Sequence, residues 1–547
     1  MSTTARIGWA ALIVATLYVC YFSHLGAIGF VGPDEPRYAW VAREMVESGD
    51  WVTPRLYGKP WFEKPPLYYW GAAICFKLFG VNEAAARLPS AISALLATLA
   101  LAWLAWRVYG AETARWLLLL LPTTLGMIGF SHAAATDMPF SGMLTLAMVC
   151  ATVIVGLVPE ESCRDGAQNA APLPGEAKDA RRRWVALILS GFFLGLAVLA
   201  KGPAAIILCG GAVFFWVVFT KRWRDGVRLL HPVGMAAFCI TALPWYVLCA
   251  RRNPDFFRVF IIEHNFKRFL TPEFQHIQPF WFYVPVILIA VLPWSLGLLA
   301  IPFRSAWRSP SEIFLLSFAL FPLLFFTASQ SKLPGYVLPS LPPLLCLLSR
   351  TNTIVAKRRR EVLAVSFVIT TATLAVAIER FTSRHALGSD ILPAPWTSRV
   401  WLPLLLGVII AVLPLVRRHP AASTCTIQIG VLLAVLGLFS GISWLDPQFS
   451  ARGVIAQVFL ARRQVIPDVL TYDLPRGIHY GLNFYLHREI PEWSPGAYGV
   501  VFSSWTGEPR LISEGYSCEH HTVLPVAVLC QQRNGLAGDA AGGGKVK

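Results

Sequence analysis

Apolar runs of bilayer-crossing length, separated by short polar stretches, dominate the chain up to about residue 445. A helix needs about 20 apolar residues to cross the hydrocarbon layer. The first run, Ile7 to Phe30, is long for a signal-peptide core and lacks an Ala-x-Ala cleavage site, so it reads as a retained span. The next runs from Leu88 to Arg107, and further spans are predicted at 114–131, 139–158, 184–200, 203–220, 229–250, 280–302, 311–328, 333–349, 361–379, 400–416 and 425–444. The fold class is therefore an α-helical polytopic membrane protein with about thirteen spans.

The polar stretches orient it. With the N-terminus in the cytoplasm, the clusters Arg181–Arg183, Lys221–Arg222–Arg224, Arg304/Arg308, Lys357–Arg360 and Arg417–Arg418 all fall on the inner side. That is the charge bias of membrane topology. The polar segment 159–183 becomes a cytoplasmic loop, and two long loops, 31–88 and 251–278, lie outside. Within the first loop, the apolar spacing at 38–46 and 67–79 predicts short helices along the membrane surface. An odd span count also sends the C-terminus outside. Residues 1–445 form the membrane domain, and 446–534 a small soluble mixed α/β or α+β domain with short β-branched runs at 465–472 and 498–502. Residues 535–547 form a Gly-rich disordered tail.

Composition changes this picture in two respects. Only 14% of the 547 residues are charged and 55% are hydrophobic, so the net charge of +16 belongs to membrane topology and not to nucleic-acid binding. Most of the eleven cysteines lie in apolar spans, and no Cys-x-x-Cys pair suggests a zinc ribbon or a redox site. Cys518 and Cys530 stand in the outer domain, where they are either a disulfide or two thiols.

Ionisable residues at a lipid boundary are costly and are candidates for function. Asp34 and Glu35 follow the first span, in Gly-Pro-Asp-Glu-Pro-Arg37-Tyr38, and Asp137 sits at a second outer junction. A solvated or helix-capping pair explains Asp34 and Glu35 taken alone; carboxylates from two loops meeting at one face are harder to dismiss. Lys201 and Lys332 lie at outer junctions that the inside-positive bias disfavours. They either snorkel to headgroups or hold an anionic substrate. In the second loop, Glu263, His264, Lys267 and Arg268 suit a metal, a phosphate or a solvated helix, and Glu63 can join from the first loop.

The ordered set Asp34-Glu35-x-Arg37-Tyr38, Ser48-Gly-Asp50-Trp51, Phe62-Glu63-Lys64-Pro65-Pro66, Thr136-Asp137, Lys201-Gly202, Glu263-His264 and Ser331-Lys332-Leu333-Pro334 resembles the bacterial ArnT-like glycosyltransferases, grouped with the protein O-mannosyltransferases in the GT-C class. The resemblance covers residues 1 to about 350 and is specific as a combination. It implies a polyprenyl (undecaprenyl) phosphate-sugar donor and catalysis at the periplasmic face of the bacterial inner membrane. The acceptor it implies is lipid A or another envelope molecule: a phosphate of lipid A in the aminoarabinose transferases, a Ser or Thr hydroxyl of protein in the mannosyltransferases. By this likeness Asp34 and Asp137 are the acidic catalytic positions. Lys64, Arg268 and Tyr336 contact the lipid phosphate, Glu63 and His264 can hold a divalent ion, and Arg37 and Lys201 line the cavity. No organic cofactor is implied. Trp61 stands where many relatives have Tyr, and Gly335 where some have Thr, which leaves the sugar's identity open.

A transferase of this kind must stabilise the leaving lipid phosphate with fixed cations and orient or deprotonate the acceptor with a carboxylate. Lys64 and Arg268, with Lys201 or Lys332 nearby, suit the first task. Asp34, then Asp137, suits the second. A membrane transporter is the competing class, but transporters gather charge near the midplane and often show internal repeats. A structural membrane protein is the third reading and leaves the charges at the outer junctions unexplained.

Overall fold

A computed structural model of the chain describes residues 3–159, 175–267, 277–298, 309–354, 364–372, 402–410, 420–453, 455–456, 469–520 and 528–532. The membrane part is helical: α1 Thr3–Tyr21, α2 Asp34–Ser48, α3 Leu67–Phe79, α4 Glu83–Tyr109, α5 Ala111–Leu120, α6 Leu125–Ser131, α7 Asp137–Ile154, α8 Gly175–Lys201, α9 Ala204–Thr220, α10 Pro232–Arg252, α11 Pro310–Thr327, α12 Leu341–Ile354 and α13 Pro420–Phe449. Among the described residues six helices are long and apolar enough to cross a membrane, or seven if α5 and α6 count as one span.

Several expected spans differ in form. The run 114–131 is a broken pair, α5 and α6, bent by 63°. Pro122 lies in the break, where it cannot donate to a helical ladder, and Thr124 caps α6 by accepting from Met127 N. The run 333–349 opens as a 3₁₀ segment, Pro334–Ser340, before α12 begins, because Pro334 and Pro339 interrupt the α pattern. The first helix ends at Tyr21, and the chain turns through 22–28 before α2.

The first long loop holds helices where the apolar spacing predicted them, with a longer first helix. Asp34 and Glu35 fill the first turn of α2, where acidic groups complement the helix dipole, and Gly49 (φ 71°) ends the helix in the left-handed conformation. Between α2 and α3 a short antiparallel hairpin pairs Arg55–Leu56 (β1) with Lys59–Pro60 (β2) around Gly58, a turn the sequence reading had not placed. Tyr38, Ala42 and Met45 of α2 and Tyr68, Tyr69 and Phe76 of α3 belong to one buried cluster.

The bundle leads into a four-stranded sheet of order β3-β4-β6-β5, with β3 Val469–Tyr472, β4 Val500–Ser503, β5 Tyr516–His520 and β6 Val528–Gln532. β3 and β4 are parallel and joined through α14, Arg476–Leu486; the remaining pairs are antiparallel. Cys518 and Cys530 face each other in register on β5 and β6 and are disulfide-bonded, which decides between the two sequence alternatives. The expected boundary at 446 falls inside α13, which runs on to Phe449.

This sheet unit is docked on the first loop. Arg43 of α2 donates to the Phe484 carbonyl at 2.9 Å, Asn483 to the Tyr57 hydroxyl at 2.9 Å, and the Tyr485 hydroxyl to Glu83 at 2.7 Å. Asp446, Arg452 and Glu83 form a chain of ion pairs beneath these contacts, at 2.7 and 3.1 Å.

Candidate functional site

The carboxylates at the head of α2 have different surroundings. Glu35 turns inward. Its Oε1 accepts from Arg87 Nε at 2.9 Å and Ala134 N at 2.7 Å, and its Oε2 from Arg87 Nη2 at 2.7 Å and Val31 N at 2.8 Å. Arg87 also donates to the carbonyls of Leu25, Ile28 and Gly29 at 2.7–2.9 Å. Both side chains are buried. Bidentate pairing with saturated hydrogen bonding is the condition under which a buried ion pair is tolerated. The pair ties the 22–31 turn, α2, α4 and the 134 turn together, so Glu35, a catalytic candidate from sequence, occupies a structural position.

Asp34 turns outward. One of its oxygens is held by Arg37 Nη2, and 53% of the side chain remains exposed. Arg37 itself is buried. Its Nε donates to the Pro33 carbonyl at 2.9 Å and its Nη1 to Glu63 at 3.3 Å. Glu63 in turn lies 3.4 Å from Lys64 Nζ. Burial opposes the charge on Arg37, but Glu63, Tyr38 and Asp34 outweigh it and raise its pKa above the ordinary value. Three rings surround this guanidinium, those of Tyr38, Trp61 and Tyr480, at 5.9, 5.6 and 5.2 Å. Tyr480 comes from α14, so the sheet unit reaches the cluster. A cleft of about 570 Å³ adjoins Glu63, lined on its other side by Arg252, Asp255 and Arg258.

A second acid–base pair forms at the head of α7. Asp137 Oδ1 lies 2.5 Å from Lys201 Nζ, at the end of α8. The ammonium also sits 4.7 Å from the centre of the Tyr336 ring, which stacks on Phe326 at 4.4 Å. Gly335 is needed here: a Cβ at that position would come within 2.7 Å of Asp137 Oδ1. The Glu35–Ala134 hydrogen bond links the two pairs. Asp137 follows Ala134 by three residues, a reach of at most about 11 Å.

The structure thus brings Asp34, Arg37, Glu63 and Lys64 into one cluster and Asp137, Lys201 and Tyr336 into a second, linked to the first through Glu35 and Ala134. Lys332 is buried and donates to the Ser329 carbonyl at 2.7 Å, and no ion pair among the described residues joins it to these groups. Arg268 and the side chain of His264 lie outside the described residues. No group of three or more His, Cys, Asp or Glu that could hold a metal occurs among the described residues. Glu63, the ligand expected from the first loop, lies between two cations that compete for its oxygens. Sequence reasoning overlooked Arg87 and Tyr480. Arg87 carried a signal, being an ionisable residue at the head of a long apolar helix. Tyr480 carried none, since nothing local tells which aromatic of a distant domain will cover Arg37.

The family profile for dolichyl-phosphate-mannose-protein mannosyltransferase matches residues 9–260. An undecaprenyl phosphate-alpha-4-amino-4-deoxy-L-arabinose arabinosyl transferase of Serratia proteamaculans is 32% identical over 411 residues, covering 73% of this chain and 69% of the relative. The transferase of the same description from Edwardsiella ictaluri is 33% identical over 348 residues, covering 62% of this chain; the match spans 59% of that relative's length. The crystal structure of ArnT from Cupriavidus metallidurans bound to undecaprenyl phosphate superposes with a TM-score of 0.76 at 25% identity, covering 97% of this chain and 98% of that one. The apo structure of the same protein gives 0.74. A helical membrane bundle that carries a small sheet unit and superposes on ArnT thus has the fold of the GT-C membrane glycosyltransferases. Within that class, the chain belongs to the family of undecaprenyl phosphate-aminoarabinose arabinosyl transferases.

Proposed function

We propose that this protein transfers a sugar, aminoarabinose or a close relative, from an undecaprenyl phosphate carrier to lipid A at the periplasmic face of the inner membrane. The observation that carries the reading is the pair of acid–base clusters linked through Glu35 and Ala134, one outward-facing with Tyr480 over Arg37, the other set against Tyr336. A sugar–phosphate bond breaks as the carrier phosphate leaves, and its growing negative charge needs fixed cations in a water-poor place. Lys64 and Lys201 are both largely buried and supply that charge. Asp34 is anchored by Arg37 yet half exposed, the arrangement for orienting an incoming acceptor oxygen or taking its proton. Glu63 holds Arg37 and Lys64 in place from behind. The family likeness supports a single displacement with inversion, in which the acceptor oxygen forms the new bond to the anomeric carbon as the carrier phosphate takes the electron pair. The thirteen-span count, the cytoplasmic N-terminus and the periplasmic sheet unit complete this reading, because they put both clusters and the sheet on the donor's side.

Reconstitution of the purified chain in vesicles with undecaprenyl phosphate-aminoarabinose and lipid A tests it. The expected result is pentose-modified lipid A by mass spectrometry, lost in Asp34→Asn. Near-normal transfer by Asp34→Asn would remove Asp34 from the mechanism. Modification of an envelope protein and not of lipid A would favour the mannosyltransferase reading that the family profile names.

A further inference from the structure

Behind Tyr480 the sheet unit carries a cleft that no step above uses. It measures about 510 Å³ and is walled by Asp473, Arg476, His479, Tyr480, Glu492 and Trp493. That is within the roughly 300–1,000 Å³ typical of small-ligand sites. The cleft lies where β3 ends, and β3 and β4 are the parallel pair of the sheet. In parallel units joined by a helix, ligands bind outside the carboxyl ends of the strands.

The walls are held in position. Asp473 accepts from Ser504 Oγ at 2.7 Å and Thr506 Oγ1 at 2.6 Å, both just beyond β4. The His479 ring sits between Thr471 Oγ1 at 3.1 Å and Asn483 Nδ2 at 3.4 Å. Trp493 Nε1 donates to the Tyr516 hydroxyl at 3.3 Å. Aromatic rings form the base, while Asp473, Arg476 and Glu492 are exposed at the rim. The apolar face of a sugar ring packs on aromatic rings, its hydroxyls donate to carboxylates, and a phosphate substituent pairs with a guanidinium. An apolar ligand would leave this charged rim unpaired.

The position of the cleft gives it a role. The Tyr480 ring that walls it lies 5.8 Å from the Arg476 guanidinium and 5.2 Å from that of Arg37, which holds Asp34. We propose that this cleft is the acceptor headgroup subsite: it takes a sugar ring bearing an anionic group and directs the acceptor toward Asp34. The inference rests on the transferase reading above and deepens it.

The test uses the full-length protein in lipid nanodiscs, as wild type, Arg476→Ala and Glu492→Gln. Both residues are exposed, so the fold is not at stake. The first readout is binding of a water-soluble, deacylated glucosamine disaccharide bisphosphate by saturation-transfer NMR, which needs no turnover. The second is the KM for lipid A and for the donor, measured separately. Saturation transfer to the disaccharide in the wild type and its loss in Arg476→Ala are expected. So is an acceptor KM raised about tenfold, the size of one lost charge-assisted hydrogen bond, with donor KM and kcat unchanged. Glu492→Gln should raise the acceptor KM by a smaller factor. Unchanged disaccharide binding in Arg476→Ala, or an equal rise in donor KM, would overturn the subsite. If the wild type binds the disaccharide and Arg476→Ala does not, yet no lipid A is modified, the cleft stands as a sugar-phosphate site while the transferase reading, and with it the acceptor role, falls. If lipid A is modified with the same acceptor KM in all three proteins, the transferase reading stands and the subsite falls.

Discussion

Asp34 and Glu35 are chemically near-equivalent neighbours in one helical turn, yet they sit in opposite environments. Glu35 points into the protein, accepts four hydrogen bonds and is paired with the buried Arg87. Asp34 points out, is held on one side by Arg37 and keeps half its surface open. The difference comes from the helix itself. Successive residues on an α-helix point about 100° apart, so one carboxylate can serve the core while the next faces outward. A saturated, desolvated carboxylate is a structural clamp, whereas chemistry requires one that is positioned but still reachable.

Mutations can break or sharpen that contrast. The largest effect is expected for Asp34→Asn, a loss of transfer of about 10²-fold or more with unchanged melting temperature and gel-filtration profile, as fits an acid–base or orienting group. A melting temperature that drops with the activity would place Asp34 with Glu35 as a clamp. Glu35→Ala should do the reverse. It strands the Arg87 charge in a buried place, at a cost of about 3–5 kcal/mol, so yield and thermal stability should fall before any kinetic effect can be measured. A stable, well-folded Glu35→Ala protein with specifically lost transfer would erase the distinction drawn here.

Lys201→Met tests whether the second pair behaves like Asp34 or like Glu35. Removing the cation beside Asp137 should lower transfer about 10- to 100-fold, the range of one charge-assisted hydrogen bond, while the helices remain packed. A purely thermal effect would make Asp137–Lys201 another clamp. The smallest change is expected for Lys64→Ala. Glu63 and Arg37 remain, and the donor KM should rise about tenfold with acceptor KM unchanged. Unaltered donor dependence would mean that Lys64 serves only to balance Glu63.

Much of the membrane part was legible in advance because lipid imposes one rule on every span: bury the backbone in helix and keep charge out. Helices form where the apolar runs at 88–107, 229–250 and 311–328 predicted them, with ends displaced by about one to five residues. The 114–131 run was less legible, since hydropathy counts apolar residues and is blind to the 63° bend around Pro122. Of the candidate residues, Asp34, Glu35, Asp137 and Lys201 were marked by charge at a lipid boundary alone. The roles of Lys64 and Tyr336 rested on resemblance. Lys332 carried the same signal as Lys201, but its side chain folds back onto Ser329 while that of Lys201 meets Asp137. One-dimensional charge cannot separate those outcomes, because they depend on which partner another helix brings within reach.

By itself, then, the sequence determined that this is a multi-span membrane protein, which segments are apolar, and that unusual charges gather near the same few junctions. Those properties are local, set by residues close in the chain and by the solvent around them. Only the tertiary structure decided which of those charges meet. Arg87 reaches Glu35 across 52 positions, Lys201 reaches Asp137 across 64, and Tyr480 of the sheet unit covers Arg37 from the far end of the chain. Each pairing depends on how helices pack and where a distant domain docks, through many weak contacts spread over the whole chain. That is why Asp34 and Glu35 look interchangeable in sequence and part company in space.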